Sequence, residues 1–315
     1  MQKIRKAWKL LNEIFTAWNE DDCFRLSAAL SYYTLFSIAP LLVVLIATTG
    51  YFLGEQAISG VIFQKAGSVI GLQAAQGLQE LVKNAYISKP DSLSGLVSAG
   101  VLLFSSTVVL TALQGSLNTI LNVRIMAEKG MVYFVLSRFL ALAMLLLIGV
   151  LLVAALVVNA VWIGISDYLQ RLPGMISVHL IATGQLCIDL AMNTLLFALL
   201  FKYLPDARLR WRFVWTGAFT TSLLFMLGRY LISLYLGNTN ITSLYGAAGS
   251  IILFIVWVNY SCWIFFLGAE LIKILSNDAG VKILPGRNAE TYQKVVELKG
   301  DAVEQAPAGK RKITK

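Results

Sequence analysis

The chain has 315 residues, 57% of them hydrophobic and only 14% charged, with a mean hydropathy of +0.72. Soluble domains run about 45–50% apolar and about 25% charged, so a large water-soluble enzyme is excluded and an integral membrane protein remains. Lys and Arg number 26 against 17 Asp and Glu, a formal net charge of +9; in a membrane protein the placement of that excess says more than its sum.

Taken in chain order, residues 1–27 are amphipathic and mixed in charge, so the first apolar run is expected to remain as a span and not to be a cleaved signal peptide. A bilayer core of roughly 30 Å needs about 20 mostly apolar helical residues. Six runs satisfy that length: 28–53 (interrupted by Pro40), 93–113, 139–165, 178–204, 213–236 and 247–275. The expected fold is therefore all-α, a polytopic membrane domain over residues 28–275 with six transmembrane helices. Residues 54–92 form a long outer loop in which Ile58, Val61, Ile62, Val69 and Ile70, then Leu78, Leu81, Val82 and Ala85, recur at helical spacing, predicting one or two amphipathic helices. They either cap the bundle or form a gate or partner surface. From residue 276 to 315 the chain turns polar, with Pro285-Gly286 and the run Lys310-Arg311-Lys312; a disordered tail is expected, its basic run solvated or facing lipid headgroups.

Basic residues sort by side. The N-terminal segment, the loops after spans two and four, and the C-terminal segment hold 21 of the 26 Lys and Arg, whereas the outer loops hold Lys65, Lys83, Lys89 and Arg171. Basic residues are retained on the cytoplasmic side, so both termini are expected to be cytoplasmic. Cys23, Cys187 and Cys262 form no CxxC and His179 is the single histidine, so no disulfide framework, metal site or cofactor site is legible.

Ionisable side chains within spans are costly, about 2.5–3.5 kcal/mol on insertion scales, and each needs a reason. Gln185, Asp189 and Asn193 are spaced i, i+4, i+8 and fall on one helix face, with Asp189 near the midplane. Arg229 lies closer to the outer side on span five, and a long Arg side chain can cover the depth offset to Asp189. Asn259 falls near the midplane of span six. Together these five either tie helices to one another or line a polar cavity for a headgroup or ion, with Asp189 as a proton relay in one version. An inner-side polar or gating group is formed by Tyr32, Tyr33, Ser37 and Pro40 of span one, where Pro40 marks a kink or a hinge, and by Glu270 at the inner end of span six. Glu270 is expected to pair with Lys273, Arg25, Lys202 or Arg208. Gln114, Asn118 and Asn122 continue a polar stripe past span two, and Trp211 and Trp215 read as interface anchors.

Three motifs, residues 28–41 (AALSYYTLFSIAPL), Leu204-Pro205 with the Arg/Trp cluster after it, and LYGAAGS at 244–250 leading to GAEL at 268–271, occur in an order that resembles the YihY/BrkB family of bacterial inner-membrane proteins. The resemblance spans about residues 20–275. It implies six spans, cytoplasmic termini and no settled activity. Some members carry the name ribonuclease BN, but a metal-dependent nuclease needs clustered His and carboxylate ligands, and no basic-aromatic stripe for RNA is present. Two functions stay open: a transporter or lipid-handling protein taking an anionic or amphiphilic substrate, and an envelope scaffold docking a partner through the outer loop. A homodimer is compatible with either, and membrane lipids are partners in both. An enzyme and a nucleic-acid partner are not expected.

Overall fold

The computed structural model describes residues 2–54, 59–64, 67, 72–85, 93–125, 130–170, 175–238, 247–286 and 289–291. Helix α1 (Gln2–Glu20) turns at Asp22, whose φ of 52° is left-handed, into α2 (Cys23–Leu53). Then follow α3 (Leu72–Ala85), α4 (Leu93–Ser106), α5 (Val108–Ile120), α6 (Gly130–Gln170), α7 (Met175–Tyr203), α8 (Trp211–Asn238) and α9 (Ala247–Asp278). Helices dominate because a backbone in hydrocarbon must satisfy its own N–H and C=O groups. Four two- or three-residue strands add a pair of small ribbons: β1 (Val123–Ile125) pairs with β4 (Ala289–Thr291), and β2 (Ala207–Arg208) with β3 (Leu284–Pro285), both antiparallel.

Five helices, among the described residues, carry stretches long and apolar enough to cross a bilayer: Cys23–Ile46, Gly100–Ile120, Tyr133–Ser166, Leu180–Tyr203 and Phe254–Asp278. The run expected as the fifth of six spans is α8, a continuous helix of 28 residues diluted by Thr216, Thr220, Thr221, Ser222 and Arg229. Its length matches its neighbours and its composition is less apolar. The second expected span, 93–113, falls on α4 and the first part of α5 and is broken at Thr107 between them, the Thr107 hydroxyl donating to the Phe104 carbonyl at 2.7 Å. Outward-facing positions are apolar, among them Val150, Val157, Val161 and Ile163 of α6 and Leu223, Leu227 and Leu231 of α8. Such a surface suits lipid.

The core lies where α9 packs against α2 and α8, and α8 against α7. Phe201 stacks on Phe265 with ring centroids 4.5 Å apart, and Phe201, Leu204, Phe266 and Ile272 are fully buried around them. Two glycines allow the close crossing of α8 and α9. A Cβ at Gly268 would lie 1.9 Å from Thr221 Oγ1, and one at Gly217 would lie 2.3 Å from Ile272 Cγ1. Small residues at such contacts bring backbones together and let dispersion hold the helices.

Two expectations change here. After α9, residues 284–285 and 289–291 form strands paired with the 207–208 and 123–125 segments, within the tail expected to be disordered; residues 287–288 and 292–315 of that tail lie outside the described residues. Asn122 does not extend the polar stripe of Gln114 and Asn118, because it takes a left-handed turn at φ 56°, which Asn tolerates, and ends α5. In the outer loop, residues 59–64 and α3 are helical, with Phe63, Ala75 and Val82 buried and α3 packed against α2 and α9. The Ile58, Val69 and Ile70 positions lie outside the described residues.

Candidate functional site

Asp189 occupies the midpoint of α7. Arg229 of α8 reaches it, with Nη2 3.9 Å from Oδ2. Counting about 1.5 Å per residue from the helix ends beside the Tyr203–Trp211 turn, Asp189 stands roughly 21 Å up α7 and Arg229 roughly 27 Å up α8. The Arg side chain spans the difference. Gln185, one turn before Asp189, donates through Nε2 to Asp189 Oδ1 at 3.1 Å and to Asn159 Oδ1 of α6 at 3.0 Å. Asn159 in turn donates to the Ala155 carbonyl of its own helix at 2.8 Å. Gly184 makes this approach feasible, since a Cβ there would lie 2.1 Å from Trp162 Cη2. Ser222 fastens the other side, donating to the Leu190 carbonyl of α7 at 3.2 Å.

Three helices thus converge four polar side chains at mid-span depth. The set is not sealed: the Arg229 side chain is 49% exposed and that of Asp189 29%. At this depth exposed means facing lipid, a bound amphiphile or another protein, and charge placed there is costly. The arrangement offers guanidinium N–H donors beside a carboxylate acceptor, a pattern suited to a headgroup carrying both an anion and a donor. Asn193 and Asn259 are half-buried and take no part in this hydrogen-bonded set.

The expected inner-side group does not assemble. Tyr32 and Tyr33 lie on the outside of the bundle, 61% and 42% exposed, with Tyr32 against Phe36 at 4.8 Å between centroids. Ser37 is buried and Pro40 sits inside a continuous 31-residue helix. Hydroxyls along the same helix donate to their own carbonyls one turn back: Ser27 to Cys23, Ser31 to Ser27, Thr34 to Leu30 and Thr49 to Leu45, at 2.6–2.8 Å. They serve the helix.

Glu270 belongs elsewhere. Fully buried, it pairs with Lys273 at 3.2 Å, and Lys273 also contacts Asp21 at the α1–α2 turn. The Cys23 thiol lies 4.0 Å from Glu270 Oε1. Of the expected partners only Lys273 is taken; Arg25 pairs with Asp22 at 3.1 Å, and Lys202 binds the Leu209 carbonyl while resting 5.5 Å from the Trp211 ring centroid. Trp211 and Trp215 stack on each other, 41% and 46% exposed, as interface anchors would.

A second polar hub is absent from the expectations. Asp206 Oδ2 accepts from Asn118 Nδ2 at 2.8 Å, Gln114 Nε2 at 3.0 Å and the Tyr133 hydroxyl at 3.0 Å. Its backbone N–H donates to Asn118 Oδ1, and its carbonyl accepts from Gly286 N at 2.7 Å. The Gln114/Asn118 spacing was the one signal for it, since two amides a turn apart need an acceptor; which of the 17 carboxylates supplies one is not encoded locally. Among the described residues no group of three or more His, Cys, Asp and Glu is gathered as a metal site.

Comparison with known proteins agrees with the motifs. A membrane protein of Teredinibacter turnerae, named UPF0761, is 27% identical over 294 residues, covering 88% of this chain and 65% of its own length. The UPF0761 membrane protein of Saccharophagus degradans is 24% identical, covering 85% of this chain and 60% of its own length. This chain therefore spans under two thirds of the length of both. A Bacillus subtilis protein named as ribonuclease-like is 26% identical over 285 residues, 88% of this chain and 98% of its own. No solved structure matches. The family profile described as virulence factor BrkB matches residues 14–292, and the chain is a membrane protein of the BrkB family.

Proposed function

We propose that this protein handles an anionic amphiphile in a bacterial inner membrane, binding its headgroup at the Asp189–Arg229–Gln185 set and passing it between the leaflets. The observation that supports this is the lateral exposure of an ion pair at mid-span depth: Arg229 of α8 is half exposed although its guanidinium reaches Asp189 of α7. Were these groups only helix ties, a buried arrangement like that of Lys273, 13% exposed between its two carboxylates, would hold the helices with less exposed charge. The sorting of Lys and Arg along the sequence supports cytoplasmic termini, with Asp189 reached from either leaflet. We do not extend the ribonuclease-like name of the Bacillus relative to this chain; one histidine is a poor basis for metal-assisted hydrolysis.

The test is movement of a labelled anionic lysophospholipid across proteoliposomes holding the full chain. Arg229→Gln and Asp189→Asn are each expected to lower the protein-dependent rate at least tenfold while leaving the helical content unchanged. Equal rates in wild type and both variants, or no protein-dependent movement at all, would overturn this reading in favour of a scaffold that docks an envelope partner.

A further inference from the structure

A different basic residue, Arg138, sits about 12 Å along α6 from Gly130 at a rise of about 1.5 Å per residue. That places it a turn or so inside the apolar stretch Tyr133–Ser166, at the end of the bundle shared with α1 and the strand ribbons. Its guanidinium is oriented on one side only. Nη1 donates to Thr107 Oγ1 at 2.8 Å, Thr111 Oγ1 at 3.4 Å and the Phe104 carbonyl at 3.5 Å, while Nε is buried with no hydrogen-bond partner among the described residues. Phe104 lies beneath the guanidinium at 4.1 Å and Phe134 at 5.3 Å. No salt bridge compensates its charge among the described residues. The nearby Asp206 carboxylate is committed to Gln114, Asn118 and Tyr133.

Beside this guanidinium is a cavity of about 310 Å³ lined by Thr111, Gln114, Tyr133, Phe134, Ser137 and Arg138. Its lining sets the hydroxyl and amide groups of Thr111, Gln114 and Ser137 among the aromatic rings of Tyr133 and Phe134. The rim turns apolar: Phe104 and Phe134 are 49% and 48% exposed, within stretches apolar enough to lie in a bilayer. An uncompensated guanidinium at this depth is costly, and an Arg fork with unused N–H groups recognises phosphate oxygens better than a point charge would.

We propose that this groove is a binding site for the phosphate of an anionic phospholipid in the leaflet on the α1 side. Arg138 is the counter-ion, and the exposed Phe104 and Phe134 rings carry the adjoining acyl chains. Phosphate alone shares the recognition chemistry, but the aromatic rim favours the lipid as its source. The site is separate from the Arg229 set, on a different pair of helices and at the other end of α6 from Asn159, and it holds whether or not the chain moves lipid.

The test is native mass spectrometry of the full chain in mild detergent, titrated with phosphatidylglycerol, phosphatidylcholine and glycerol 3-phosphate. Wild type is expected to retain one phosphatidylglycerol in preference to phosphatidylcholine. Arg138→Gln should weaken that retention at least tenfold, and Ser137→Leu, which fills the groove and leaves Arg138 in place, should do the same. Arg229→Gln should leave it intact, so failure here and failure of the proposed transport are separately visible. Retention unchanged in both Arg138→Gln and Ser137→Leu overturns the site. Glycerol 3-phosphate displacing the lipid at equal concentration overturns the lipid as its source. If Arg138→Gln does not fold, Ser137→Leu decides: loss supports the site, retention overturns it.

Discussion

Asn118 and Asp206, 88 residues apart, hold each other twice: the Asn118 amide donates to the Asp206 carboxylate at 2.8 Å, and the Asp206 backbone N–H donates back to Asn118 Oδ1 at 2.8 Å. This reciprocal grip fastens the turn after α7 to α5. Through Gly286 it also fastens the ribbon that follows α9. Removing the acceptor strands two amides that are almost fully buried, Gln114 and Asn118. Each buried unsatisfied group costs about 1–3 kcal/mol. Asp206→Ala is therefore expected to lose about 2–4 kcal/mol of stability, read as a lower Tm in detergent together with faster trypsin cleavage at Lys282. Asp206→Asn, which keeps the shape and one acceptor, should lose less. An unchanged Tm for Asp206→Ala would show the hub to be incidental.

Lys273 stands between two buried carboxylates, Asp21 and Glu270. Breaking a buried ion pair from one side leaves uncompensated charge and costs about 3–5 kcal/mol. Lys273→Met should accordingly be the most destabilising single substitution in this group, reducing the yield of folded protein. Adding Glu270→Gln to Lys273→Met should restore part of the loss, because it deletes one of the two stranded charges. A double variant no better than the single would contradict that explanation.

The exposed pair behaves differently. For Asp189 and Arg229 the 3.9 Å separation and partial exposure argue for a smaller coupling, about 1 kcal/mol, than the up to about 3 kcal/mol found for closely coupled neighbours. A double-mutant cycle on thermal stability with Asp189→Asn and Arg229→Gln measures it. A coupling as large as that of Lys273 would mean that the pair is primarily structural.

At the α8–α9 crossing, Gly268→Ala forces a methyl into Thr221 Oγ1 and towards the Phe201 ring, both closer than 3 Å. Overpacking a tight contact costs about 1–3 kcal/mol, and here backbone stands opposite as well, with the Gly268 carbonyl 3.1 Å from a Cβ built at Gly217. Gly268→Ala and Gly217→Ala should each lower Tm. Thr221→Ala in the Gly268→Ala background should recover part of the loss by vacating the collision. No recovery would place the strain elsewhere.

The membrane character, the positions of most helices and the family motifs were legible in the sequence because each is a local property. An apolar run of 20-odd residues must be a helix in lipid wherever it lies in the bundle, and the GAEL stretch is recognisable from its letters alone. The i, i+4 relation of Gln185 and Asp189 was equally local, and the structure keeps it as a hydrogen bond. Depth arithmetic brought Arg229 within reach of Asp189 because both helices start from the short turn between Tyr203 and Trp211. It said nothing of Asn159, which arrives from α6.

Rotation about a helix axis was not legible where every face is apolar or hydroxylated. Tyr32 and Tyr33 therefore went to the outside, and the Ser and Thr hydroxyls of α2 turned to their own carbonyls. The partners of buried charge were also hidden. Lys273 finds Asp21 across 252 residues and Asp206 finds Asn118 across 88, and no spacing rule connects positions that far apart. By itself, then, the sequence determined that this chain is a helical membrane protein with its basic residues sorted unevenly along its length, because hydrophobic length and charge act residue by residue. Only the tertiary structure decided which polar groups face each other, which stay open to the side and which are sealed, because those depend on where separate helices come to rest against one another.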